Sequence, residues 1–141
     1  MYDNYIIRLE GVLPSAADAL QCRFANAGTA DAGANYYTMV SGATSITAVT
    51  SSALTGGSNV HNGGRGVNID IAVVNANSTA GLKSLIANTI RQSDLTPTYA
   101  VAQFGTAYAA ANAISGIRFF WSGGSNFQAV GRILIYGLAN V

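Results

Sequence analysis

Charge is scarce in this chain. Its 141 residues include seven Lys or Arg, six Asp or Glu and one His, a charged fraction of 9% and a net charge of +1. Ordinary globular domains are about 25% charged. A balance so near neutral offers no field for nucleic acid and no basic face for an anionic membrane. No Asp, Glu, Lys or Arg lies between Asp31 and Arg65, or between Asp94 and Arg118. Cysteine occurs once, which excludes an internal disulfide. Cys22 alternates with Leu20 and Phe24, so it is expected as a buried structural thiol. No apolar run approaches the ~20 residues of a membrane span. The opening MYDNYIIRLEG has no basic leader and no long apolar core, so it does not read as a secretion signal. The chain is expected to be made and assembled without export.

Ser, Thr, Asn, Gly and much Ala stand where charges would. Such a polar but uncharged surface suits a particle or shell whose exterior meets other subunits. The alternative is a monomer that solvates itself with hydroxyls and amides. The length fits one domain, 1–141, with enough chain for a real core.

Period-two alternation dominates. In 4–13, Tyr5, Ile7 and Leu9 share one face, and Ile6, Arg8 and Glu10 the other. Residues 20–24 alternate with Gln21 and Arg23 outward, 36–40 form a third strand, and 67–74 is the clearest of all. A Ser/Thr/Gly-rich stretch, 41–66, holds a short strand around 46–49 and otherwise reads as a long contact loop. Residues 80–92 admit two readings. Leu82, Leu85, Ile86 and Ile90 fit a helix with Ser78 or Thr79 as cap, while the flanking strands favour a strand. Residues 98–109, 114–121 and 131–138 complete the set, the last two read as a closing hairpin with Ile117, Phe119 and Trp121 inward. The expected fold is all-β: a two-sheet antiparallel β-sandwich, jelly-roll-like, of about eight strands.

Chemistry is hard to find. A hydrolytic triad needs a histidine, and the only one, His61, lies in the loop SNVHNGGRG. No metal-ligand spacing accompanies it. Asp3, Glu10, Asp18, Asp31, Asp70 and Asp94 are scattered. No catalytic residue, cofactor or metal site is expected. GGRG at 63–66 could cradle an anion through glycine N–H groups and Arg65, but it matches a turn before the next strand better. Asn77-Ser78-Thr79 has the form of a glycosylation site and reads as coincidence in a chain expected to be assembled without export. Seven tyrosines and Trp121 could stack on sugars or fill an interface. Trp121 alternates with Ile117 and Phe119 as a core residue would. Of the neighbours Tyr36 and Tyr37, only one can face the core. The candidate interface or ligand contacts are Tyr36, Tyr37, His61, Arg65, Phe120 and Phe127, with the 41–66 loop.

Both ends of the chain resemble a module of tailed-bacteriophage virion proteins. Tyr2-Asp3-Asn4-Tyr5, the turn Val12 to Asp18, Leu20 to Phe24 and Asp31 to Tyr37 are similar to that module's opening. Ile114 to Gly124 and Arg132 to Leu138 are similar to its close. The resemblance covers about half the chain and implies a sandwich carried on a tail fibre or capsid surface. It brings no catalytic residues.

The expected function is that of a non-enzymatic virion structural protein, assembled in the host cytoplasm. It would act as a homo-oligomer, with a trimer as candidate stoichiometry, and contact other virion proteins. The alternative is a receptor- or glycan-binding module that meets a host surface glycan. A small hydrolase is the least favoured reading.

Overall fold

The computed structural model describes residues 2–40, 48–92 and 98–139. Among them the chain forms eleven strands and no helix. They are β1 (Asn4–Val12), β2 (Leu20–Asn26), β3 (Thr29–Ala30), β4 (Tyr36–Val40), β5 (Ala48–Val49), β6 (Ser52–Ala53), β7 (Val67–Val74), β8 (Lys83–Gln92), β9 (Tyr99–Tyr108), β10 (Gly116–Trp121) and β11 (Arg132–Leu138). Eight have five residues or more, while β3, β5 and β6 are two-residue pairings. The protein is a two-sheet antiparallel β-sandwich. A large sheet runs β11-β1-β7-β8-β9-β4-β5. In the small sheet, β2 pairs with β10 along its length and also with β3 and β6.

Alternation decides which side chains meet between the sheets, because successive strand residues point to opposite faces. Val67, Ile69, Ile71 and Val73 of β7 are buried, and Asn68 and Asp70 are exposed. Leu20, Cys22 and Phe24 of β2 oppose them across the core, with Ile117, Phe119 and Trp121 of β10 packed alongside. An aromatic cluster closes one end, where Tyr108 lies 5.0 Å from Phe24 and 4.9 Å from Tyr36 between ring centroids. Within 80–92, residues Lys83–Gln92 form strand β8, held between β7 and β9. Leu85 turns inward, whereas Leu82, Ile86 and Ile90 are exposed. Their helix-like spacing comes from apolar residues on both faces of a strand.

Two expectations are corrected. The segments at 114–121 and 131–138 are not a hairpin, for β10 pairs with β2 in the small sheet and β11 with β1 in the large one. Nor is 41–66 a free contact loop in its described part, 48–66. Leu54 and Val60 are buried, and Leu54 donates to Leu20 O while Val60 and Asp18 exchange backbone hydrogen bonds. Thr89 Oγ1 donates to Leu54 O. The segment is a strap closing one side of the core. The start of the short strand expected at 46–49 lies outside the described residues, and its end is β5.

Three glycines meet where β1 bulges. The register of β1 against β7 shifts between Leu9 and Val12, and Gly11 there has φ of 62°. Gly66 and Gly131, at φ of 79° and 78°, enter the two neighbouring strands beside it. A Cβ on Gly131 would lie 2.6 Å from the carbonyl oxygens of Glu10 and Gly11. Gly124 also has positive φ but open space around it. Positive φ alone costs an L-residue roughly 1–2 kcal/mol, and a backbone clash adds to that. Gly131→Ala is therefore expected to lose at least about 2 kcal/mol, more than Gly124→Ala. Urea unfolding of the two variants compares them directly, and equal losses would show that the crossing at β1 tolerates a side chain.

Candidate functional site

The large sheet turns one face to solvent, and register writes its surface in rows. Arg8, Asp70, Asn88 and Gln103 lie side by side across β1, β7, β8 and β9. Arg8 Nε donates to Asp70 Oδ1 at 2.7 Å, and Gln103 Nε2 donates to Asn88 Oδ1 at 3.1 Å. On one side runs Asn68, Ile90 and Val101, and on the other Ile6, Ala72, Ile86 and Gly105. The polar row floors a groove of about 970 Å³. Its amides and ion pair can hydrogen-bond hydroxyl groups while Ile90 and Val101 offer apolar contact. The ion pair is exposed and screened by solvent, so it orients rather than stabilises.

A second feature lies at the side of the sandwich. β10 ends the small sheet and β11 ends the large one, and a cleft of about 370 Å³ opens between them. Tyr5, Ile7, Phe24, Ile117 and Ile135 line it. Ile7 is buried, yet its β11 neighbour Ile135 is 59% exposed. The apolar inner face therefore continues one strand beyond its cover.

The residues singled out by sequence do not form one site. Tyr36 is corrected from a contact to a core residue. It is fully buried, its hydroxyl accepts from Phe24 N at 2.8 Å and donates to Asp31 O at 3.0 Å. Tyr37 takes the exposed face of β4. Phe120 lies on the outer face of the small sheet with the guanidinium of Arg23 4.8 Å and that of Arg118 5.9 Å from its ring centroid. Phe127 is partly exposed and packs on the buried Trp121, ring centroids 5.3 Å apart. His61 sits in its loop with Nδ1 accepting from Gly63 N, and Arg65 N donates to Gln92 Oε1. Those two N–H groups of the GGRG segment are engaged by side chains, which makes the segment a turn. Arg8, Asn88, Gln103 and Ile135 were missed, since each is unremarkable until strand register sets it beside the others.

Two carboxylates are structural anchors. Asp18 accepts from Ala19 N, Ser122 Oγ, Gly123 N and Ser125 N. Burial alone pushes its carboxyl up, but the donors of Gly123, Ser122, Ala19 and Ser125 together outweigh it and hold the pKa at about 2. Asp31 likewise accepts from Tyr108 Oη, Asn35 Nδ2 and Gly33 N. Burial raises its pKa and these donors reverse the shift, leaving it lowered. Cys22 is buried and its thiol is pushed up to about 12, chiefly by burial, so it is inert rather than nucleophilic. Among the described residues no three of His, Cys, Asp and Glu come together as a metal site.

The class thus defined is an all-β sandwich with one grooved sheet face and one open side. Family models, curated proteins and solved structures give no match to this chain.

Because the folded Asp18 pKa lies below its ordinary 3.8, its contribution to stability is complete above about pH 4 and is lost as pH falls through about 2. Asp18→Ala is expected to cost about 1–3 kcal/mol at neutral pH by orphaning its donors, and to flatten the acid limb of stability against pH. Unfolding midpoints between neutral pH and pH 2 measure both. An acid limb unchanged in Asp18→Ala would assign it to other groups.

Proposed function

We propose that the chain is a non-enzymatic structural module of a bacteriophage virion, borne on the capsid surface, tail or tail fibre and acting through contacts between copies and with other virion proteins. The observation that carries this reading is the exposed apolar surface. Ile86, Ile90 and Val101 stand out on the large sheet, and Ile133, Ile135 and Tyr136 on β11. Contiguous exposed apolar patches mark interaction surfaces, and a chain with 9% charge has little else to keep such patches apart. The resemblance of both chain ends to virion modules supplies the particle.

A second reading is favoured by one observation, the polar row within the groove. Arg8, Asp70, Asn88 and Gln103 present donors and acceptors to a hydroxyl-rich ligand, so the groove suits a host surface glycan.

Light scattering on the size-separated protein is expected to show a homo-oligomer, and electron microscopy of particles to place the chain on the virion surface. A monomer that binds neither capsids nor tails would sink the structural reading. For the second reading, Asn88→Ala with Gln103→Ala is expected to abolish any glycan-array signal; a signal that survives the pair puts the ligand elsewhere.

A further inference from the structure

An open sheet edge presents a row of unpaired N–H and C=O groups, and proteins usually blunt such edges with short strands, lysine or proline. The large sheet treats its two edges differently. One ends in β5, two residues long, whereas the other ends in β11, seven residues reading RILIYGL. β11 pairs only with β1 among the described residues. It holds no proline or lysine, and its single charge, Arg132, is neutralised within the chain by Glu10 at 2.6 Å. Both its faces are apolar and exposed, with Ile133 and Ile135 on the inner side and Tyr136 and Leu138 on the outer. The apolar cleft under Ile135 opens on the same side, next to β10, itself the edge of the small sheet.

We propose that this side of the sandwich is a two-fold contact between copies of the chain, with β11 of one protomer pairing antiparallel to β11 of its partner. The inference rests on the assembly reading above and names its partner. Unpaired backbone groups call for another extended strand, and a two-fold axis makes the same strand its own complement. Antiparallel pairing sets the Arg132 end of each strand against the Leu138 end of the other. The two guanidinium groups stay apart and no like charges meet. Seven residues span about 23 Å and two stacked sheets with their side chains about 20 Å, roughly 450 Å² in flat projection. That exceeds half of the ~800 Å² per partner in a stable interface before side-chain relief is counted. Pairing would extend the large sheet across the axis and bring cover to Ile135 and its cleft.

The test uses the full chain with Ile135→Lys at the edge and Leu82→Lys, an exposed apolar residue in the turn before β8, as control, each confirmed as folded by circular dichroism. Light scattering is expected to give an even number of copies for the unaltered protein. Association should weaken at least about tenfold in Ile135→Lys and stay unchanged in Leu82→Lys. Hydrogen exchange of the β11 amides, slow in concentrated protein and fast on dilution, reads the pairing in the unaltered chain and decides the matter if Ile135→Lys does not fold. An odd-numbered oligomer, or one indifferent to Ile135→Lys, overturns edge pairing but leaves the assembly reading standing. A chain that stays monomeric at millimolar concentration overturns the pairing as well, and the assembly reading falls with it only if particle binding also fails.

Discussion

Seven strands on one side of the core and four on the other cannot cover each other completely. Each sheet presents an apolar inner face, and water is excluded only where the two overlap. The small sheet, with the strap around Leu54 and Val60, covers β1, β7, β8 and β9 along their inner rows. At β11 the cover runs out. The row that begins at buried Ile71 and Ile7 ends at exposed Ile135. This mismatch in width accounts for the lateral cleft and for the exposed apolar side chains along β11.

The interior solves a second problem with little charge. A sandwich of short strands leaves polar groups at its seams, and each needs a partner once buried. Hydroxyls supply many of them. Ser52 Oγ and Thr38 Oγ1 both bond Thr106 Oγ1, at 2.6 and 2.9 Å, linking strands of the two sheets. Asp18 and Asp31 gather loop donors at opposite turns. Lys83 is buried and donates from Nζ to Ala110 O at 2.7 Å, with burial lowering its pKa. These groups are spent on holding loops to strands. On the outer face of the large sheet the exposed Arg8–Asp70 pair and the amides of Asn88 and Gln103 form a polar row toward solvent.

Much of the fold was legible. Alternation in 4–13, 20–24 and 67–74 sorted the side chains of β1, β2 and β7 into the two faces that the structure shows, because a two-residue period survives any choice of strand order. The same rule separated Tyr36 from Tyr37 without saying which goes in. It failed at 48–66, where Ser, Thr and Gly carry no hydrophobic rhythm although Leu54 and Val60 are buried. It failed also at the last two strands. Their closeness in sequence suggested a hairpin, but loop length does not oblige neighbours to share a sheet. Of the candidate surface, Asp70 and Arg8 could be assigned to outward faces, but their meeting with Asn88 and Gln103 depends on the registers of three strand pairs.

The sequence by itself determined the class of structure, the alternation of its strand faces and its poverty in charge. These are local or compositional properties, and a single strand displays them. Only the tertiary structure decided that β10 and β11 belong to opposite sheets, that they form one open side, and that a polar row lies across four strands. Those facts come from pairing between residues distant in the chain, where the free energy belongs to partners together and to neither sequence segment alone.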